Sequence, residues 1–138
     1  MGRASPSASR KLKPTNAEVA ILRVLWSRGP STVREVARSM GREDEYTTIL
    51  KLLQNMTAKR LVRRDESARS HVYAAANPEE QTQRQLVRDL VDRAFGGSAA
   101  KLVLQALASR RASADELRDI RKAIEHAKSE GEKDHARD

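Results

Sequence analysis

Apolar residues recur at helical spacing in three segments of the first half of the chain. Thr15 and Thr32 precede the first two segments, and each is followed three residues later by a glutamate, which is the spacing of a capping box. The third segment, YTTILKLLQNM at residues 46–56, places four apolar residues on one face: Ile49, Leu52, Leu53 and Met56. We therefore predict helices that begin after Thr15 and after Thr32, and a third helix over about Tyr46 to Lys59.

Two short extended runs follow the third predicted helix. They are LVRRD at residues 61–65 and SHVYA at residues 70–74, and the polar stretch ESAR separates them. This pattern predicts a β-hairpin. Three helices followed by a hairpin are the order of a winged helix-turn-helix, in which the hairpin is the wing and the third helix is the recognition helix. Asn77-Pro78 ends this region, so we predict a domain at residues 14–77.

The second half of the chain has helical periodicity throughout, with breaks at Gly96-Gly97 and before Ser113. Ser98 and Ser113 are predicted N-caps. Three helices over about 50 residues with few aromatic side chains bury little surface on their own. We predict that this domain, residues 78–128, forms a dimer by sharing its core with a second copy, although an ordinary monomer core is the alternative. The predicted dimer or core positions are Leu86, Leu90, Val91, Phe95, Leu102, Val103, Leu107, Leu117, Ile120 and Ile124.

The fold class that these patterns predict is mainly α, a winged helix-turn-helix followed by a three-helix dimerisation domain. The remaining segments lack apolar periodicity. Residues 1–13 form a predicted disordered basic arm, and residues 129–138 form a predicted charged and frayed tail.

Positive charge is concentrated in the first half of the chain. Residues 1–78 contain 15 Lys and Arg against 7 Asp and Glu, whereas residues 79–138 contain 12 of each, so the first half carries all of the net charge of +8. A basic part joined to a neutral part indicates a polyanion-binding domain and an assembly domain.

Several functional classes find no support in the sequence. The chain has no cysteine, which excludes disulfides and thiolate metal sites and fits a reducing cytoplasm. No apolar run approaches the ~18 residues of a membrane span. The three histidines lie far apart, and no phosphate-binding glycine loop or catalytic motif is present. We therefore expect no enzyme activity, no cofactor and no metal.

The outward face of the predicted recognition helix has short polar side chains and no carboxylate. Such a face fits contact with base edges and phosphates, which a carboxylate would repel, although a solvated helix face is the alternative. Leu50 lies at its edge, where it would meet a thymine methyl group. Basic residues of the arm (Arg10, Lys11 and Lys13) would add salt-sensitive attraction. The candidate DNA-binding residues are Thr47, Thr48, Lys51, Gln54 and Asn55 on this helix, Thr32 and Arg34 at the start of the second helix, and Arg63, Arg64 and Arg69 in the wing.

Five segments in a fixed order carry a resemblance to a known family. They are LKPTNAEVAILRVLW, STVREV, YTTILKLLQNMTAKRLVRR, HVYA and FGGSAAKLVLQAL. Together they resemble the penicillinase repressor (BlaI/MecI/CopY) family, from about Leu12 to Ala127. The resemblance implies a homodimeric transcriptional repressor that binds double-stranded DNA at an inverted-repeat operator. It also implies a membrane sensor-protease as an upstream partner, which cleaves the dimerisation domain of many family members.

The chain departs from the family pattern in two places. The β-lactam-responsive members are cut at an Asn-Phe bond shortly after the FGGS segment, and the matching position here is Gln105-Ala106. The copper-responsive branch carries C-terminal cysteines, which this chain lacks. The inducing signal is therefore open. A winged-helix module that binds protein instead of DNA, and a transcriptional activator or architectural DNA binder, remain alternatives to a repressor.

Overall fold

The computed structural model describes residues 13–137. The predicted basic arm, with Arg10 and Lys11, lies outside the described residues except for Lys13. The described chain forms two compact units, which divide between Asp89 and Leu90. Our predicted domain boundary falls earlier, at Asn77-Pro78.

Three helices form most of the first unit: α1 (Asn16–Arg28), α2 (Val33–Ser39) and α3 (Tyr46–Ala58). The predicted capping boxes of α1 and α2 are both present. The Thr15 hydroxyl accepts the N–H of Glu18 at 3.2 Å, and the Glu18 carboxylate accepts the N–H of Thr15 at 2.8 Å. Thr32 and Glu35 repeat this exchange at 3.2 and 2.9 Å. Each box satisfies N–H groups that a helix start leaves unpaired.

The wing belongs to a three-stranded antiparallel sheet with the order β1-β3-β2. Its strands are β1 (Ser31–Thr32), β2 (Val62–Asp65) and β3 (Val72–Ala75). The predicted hairpin is confirmed as β2 and β3. We did not predict β1, in which Ser31 pairs with Tyr73 and Thr32 pairs with Val72. Two residues are too few to show an alternating pattern, so only the pairing reveals this strand.

Helices α1 to α3 and the sheet enclose one apolar core, which is aliphatic except for a tyrosine. It contains Ile21, Leu22, Leu25, Val33, Val36, Ala37, Ile49, Leu53, Met56, Leu61, Val62 and Tyr73. The tyrosine lies on β3, the central strand. Trp26 lies at the edge of this core, where its indole N–H donates to the carbonyl of Asn77 at 3.1 Å.

Three further helices complete the chain: α4 (Glu79–Ala94), α5 (Ala99–Ser109) and α6 (Ala114–Arg137). The predicted caps are present, since the hydroxyls of Ser98 and Ser113 each accept an N–H three residues later at 3.1 Å. Helix α6 continues to Arg137, whereas we predicted a frayed end from Ser129. None of the helices within residues 13–137 is long and apolar enough to cross a membrane.

Candidate nucleic-acid interface

Helix α3 presents a polar outward face with no carboxylate. Ile49, Leu53 and Met56 are fully buried on its inward side. The five polar residues predicted to contact DNA on this helix are all exposed: Thr47, Thr48, Lys51, Gln54 and Asn55. The buried stripe therefore orients α3 so that its short donors and acceptors face outward, as a helix that enters a DNA groove requires.

Three acidic residues form a short 3₁₀ helix, Glu43–Glu45, directly before α3 in the chain. The guanidinium of Arg42 donates to both carboxylate oxygens of Glu45, at 2.5 and 3.0 Å. This hydrogen bonding lowers the pKa of the Glu45 carboxyl from its ordinary value. The carboxylate directly before α3 in the chain thus has a cation beside it, which limits its repulsion of an approaching phosphate.

A groove of about 540 Å³ lies between α3, the start of α2 and the wing. Five of the ten predicted DNA-binding residues line it: Thr32, Arg34, Gln54, Arg64 and Arg69. The pairing of β1 with β3 explains this convergence. It places Thr32, the residue directly before α2, beside Val72 of the wing strand β3. Residues from three separate parts of the sequence therefore border one concave surface that carries three arginines.

The groove also contains Leu50, for which we predicted a contact with a thymine methyl group. Its other lining residues were not among the predicted DNA-binding residues: Val33, Tyr46, Ser70, His71 and Tyr73. A sequence signal existed for Tyr46, since Tyr46, Leu50 and Gln54 are spaced four apart and lie on one side of a helix. No comparable signal existed for Ser70 and His71. Their place depends on how the wing folds back toward α3.

Most of the predicted basic residues have no anionic partner among the residues that the structure describes. Two of them are exceptions, since Arg64 contacts the carboxylate of Glu66 at 2.6 Å and Lys13 of the arm contacts the carboxylate of Asp89. Within residues 13–137, Arg34, Lys51, Arg63 and Arg69 are all exposed, and no ion pair occupies them. These cations are therefore available to a polyanion.

Besides Glu66, the wing carries a second acidic side chain with internal partners, Asp65. Hydrogen bonds from the side chain and the backbone N–H of Ser67, the latter at 2.9 Å, lower the pKa of Asp65 from its ordinary value. Asp65 stays charged at neutral pH, so it limits how closely the tip of the wing approaches a phosphate.

Comparison with known proteins identifies the family. The sequence pattern of the penicillinase repressor family matches residues 14–126. The transcriptional regulator BlaI of Mycobacterium tuberculosis, in strains CDC 1551 / Oshkosh and H37Rv, is 33% identical over 110 residues, which are 78% of this chain and 79% of that protein. The chain belongs to the penicillinase repressor family. The resemblance in the five sequence segments is thereby confirmed.

An ion pair holds the C-terminal end of α3 in this family member. The ammonium of Lys59 donates to the carboxylate of Glu18 at 2.8 Å. Glu18 is 2% exposed, and the same carboxylate belongs to the capping box of α1. A buried carboxylate is stable only when its oxygens are paired. Glu18 therefore joins the start of α1 to the end of α3 and fixes the recognition helix on the core.

The ten predicted dimer or core positions lie on exposed or half-buried surfaces. None of the ten is buried, and Leu90, Val103, Leu107, Leu117 and Ile124 are among the most exposed large apolar residues of the described chain. Helices α4 to α6 therefore carry the predicted stripes, but one copy of the chain leaves them open to solvent.

Proposed function

We propose that this chain is a homodimeric DNA-binding repressor that reads an inverted-repeat operator in the cytoplasm. The observation that carries the proposal is the basic groove beside the acid-free face of α3. The relative in M. tuberculosis is named a transcriptional regulator, which supports the same conclusion.

In this proposal α3 lies in the major groove. Thr47, Thr48 and Lys51, in its first turns, reach base edges, while Gln54 and Asn55 contact adenine or phosphate one turn later. Backbone phosphates occupy the groove between α3 and the wing. The arginines that border the groove or lie beside it bind these phosphates: Arg34, Arg63, Arg64 and Arg69.

The open apolar stripes of α4 to α6 support the dimer. Several large apolar side chains exposed on the same helices are unfavourable in water, and such a surface marks an interaction site. A second copy carries the same stripes, so a two-fold pairing covers both. Two linked recognition helices then bind two half-sites, and the combined affinity exceeds that of either one.

The proposal includes no cleavage step at Gln105-Ala106. Both residues are exposed in α5, but a protease requires extended backbone, so the helix would have to unwind first. The side chains also differ from the Asn-Phe pair of the β-lactam-responsive members. A membrane sensor-protease is thus a partner only if it recognises another bond.

The first experiment measures fluorescence anisotropy of the full chain with DNA from upstream of its own gene and with a scrambled duplex, at two salt concentrations. We expect preference for the natural sequence by ~10³-fold or more. Lys51→Ala should weaken binding, whereas Lys122→Ala, which removes the same charge from exposed α6, should not.

Equal binding to both duplexes that vanishes at higher salt would contradict operator reading by this upstream region and favour the protein-interaction module. Repression and activation are then separated by a reporter gene placed behind the bound sequence. Expression that rises when the protein is removed supports a repressor, and expression that falls supports an activator.

A further inference from the structure

The recognition helix α3 ends on an arginine in the left-handed backbone conformation. Arg60 has φ 64° and is the one residue other than glycine with a positive φ within the described part of the chain. Its N–H donates to the carbonyl of Thr57 at 3.1 Å, and the N–H of Leu61 donates to the carbonyl of Met56 at 2.9 Å. These two hydrogen bonds form a Schellman motif, which closes a helix with a left-handed residue just after the C-cap.

Helix α2 ends in the same motif with a glycine. Gly41 has φ 67°, its N–H donates to the carbonyl of Arg38 at 3.0 Å, and the N–H of Arg42 donates to the carbonyl of Ala37 at 2.8 Å. The left-handed conformation is unfavourable in a residue with a Cβ atom, whereas it costs little in glycine. The end of α3 therefore carries a strain that the end of α2 avoids.

No side-chain hydrogen bond or ion pair of Arg60 within residues 13–137 offsets this strain. The guanidinium of Arg60 takes part in none of the side-chain hydrogen bonds or ion pairs found within residues 13–137, and the side chain is exposed. Its neighbour Lys59 is already bound to Glu18. Of the two cations after α3, Arg60 is the one available to a ligand outside the protein.

The position of Arg60 gives a reason for a cation there. It follows the C-terminal end of α3, where the aligned peptide dipoles leave a partial negative charge. It also lies in the short connection from α3 to strand β2, outside the set of residues that line the groove between α3 and the wing. Without a cation, the carbonyl groups at this end of α3 would repel a nearby phosphate.

We propose that Arg60 binds a phosphate of DNA. Its charge increases the affinity for DNA, although its left-handed conformation makes the end of α3 less stable. The inference rests on the proposed function. A glycine would close α3 with less strain but would bring no charge, whereas a residue with function is retained in a strained conformation when the complex offsets the strain.

The test compares the full chain with Arg60→Gly, Arg60→Asn and Arg60→Lys. Stability is measured by chemical unfolding, and affinity for a mixed-sequence duplex is measured at several salt concentrations between about 50 and 200 mM. Arg60→Gly should unfold at higher denaturant concentration. It should also bind several-fold more weakly, with a slope of log affinity against log salt that is smaller by about 0.9.

The other variants separate charge from strain. Asparagine tolerates the left-handed conformation but carries no charge, so the salt slope of Arg60→Asn should fall by the same amount as that of Arg60→Gly. Lysine keeps the charge, so the salt slope of Arg60→Lys should equal that of the unmodified chain. Arg23→Ala is the matched control, since it removes an exposed arginine from α1, and its slope should equal that of the unmodified chain.

Two results would overturn the inference alone. One is a stabilised Arg60→Gly variant with unchanged affinity and slope, and the other is an Arg23→Ala variant with the same loss of slope. If the unmodified chain itself shows no salt-dependent binding to any duplex, the proposed function fails and the role of Arg60 fails with it.

Discussion

The two compact units of this chain differ in what covers their apolar side chains. The winged-helix unit encloses twelve buried apolar residues, whereas no side chain between residues 90 and 134 is buried. The second unit does contain large apolar residues, but they are exposed. Leu104 is 65% exposed and Ile124 is 55% exposed. The same kind of helical pattern thus forms a core in one unit and an open surface in the other.

This difference in burial depends on which apolar surfaces of the same chain pack against each helix. Helices α1 to α3 contact one another and a sheet, so apolar stripes meet from several directions. Helices α4 to α6 have periodic stripes but bury little of them in one copy. Because burial of apolar surface is the main source of folding free energy, the second unit gains less from burial within one copy of the chain than the first does.

The largest effect on association and DNA binding is expected from a charge placed on the exposed apolar stripe of α5. Leu107→Asp should prevent association and lower operator affinity by about 10²- to 10⁴-fold, because the advantage of two linked half-sites is lost. Analytical ultracentrifugation and anisotropy measure both effects. Gln105→Asp places the same charge on the polar side of α5 and should remain a dimer. An intact Leu107→Asp dimer would show that this stripe is not the interface.

A second comparison truncates one apolar side chain in each unit. Leu53→Ala should lower the free energy of unfolding by about 2–5 kcal/mol, because Leu53 is fully buried and a cavity remains. Ile124→Ala should change the stability of the monomer little and weaken association instead. Unfolding at several protein concentrations separates the two effects. A concentration-independent loss of similar size in both variants would contradict the distinction.

A smaller effect is expected from the ion pair that holds α3 on α1. Glu18→Gln keeps an acceptor for the N–H of Thr15 but removes the charge that binds Lys59, so stability should fall by about 1–3 kcal/mol. Thermal unfolding measures this loss. Arg28→Gln is the control, because its partner Glu35 is exposed and exposed pairs contribute little. A larger loss in the control would contradict the role of Glu18.

The smallest effect concerns acid and the two helix caps. The backbone N–H of Thr32 lowers the pKa of Glu35, with Arg28 as a further cause, and the backbone N–H of Ser113 lowers the pKa of Glu116. A lowered pKa stabilises the fold above the ordinary value of 4.5, and this stabilisation is lost as the pH falls through the folded-state pKa.

Glu35→Gln should therefore reduce the acid sensitivity of the winged-helix unit below pH about 4.5. Glu116→Gln should affect only the helical content of the second unit. Circular dichroism during acid titration, with Trp26 fluorescence as a reporter of the first unit, distinguishes the two. Equal acid sensitivity in Glu35→Gln and the unmodified chain would contradict the role of this cap.

Local signals in the sequence were sufficient for much of the fold. The caps at Thr15, Thr32, Ser98 and Ser113 were predicted because each depends on residues only three positions apart. The inward stripe of α3 and the hairpin were predicted for the same reason, since their periods are visible within a few residues.

The candidate interface was predicted only in part, because its parts are distant in sequence. The composition and polarity of α3 identified the exposed polar residues. The groove itself requires the pairing of Thr32 with Val72, and that pairing is invisible in a two-residue strand. Ser70 and His71 join the groove for this reason. Glu18 meets Lys59 across 41 positions because α1 packs against α3.

The sequence by itself determined where helices begin, which face of each is apolar, and that positive charge lies in the first half, because these properties depend on neighbouring residues. Only the tertiary structure decided which faces are covered. It buries the stripes of α1 to α3 against each other and a sheet, and it leaves those of α4 to α6 open. The physical reason is that a stripe is buried only if the chain brings another apolar surface to it, and periodicity does not specify that partner.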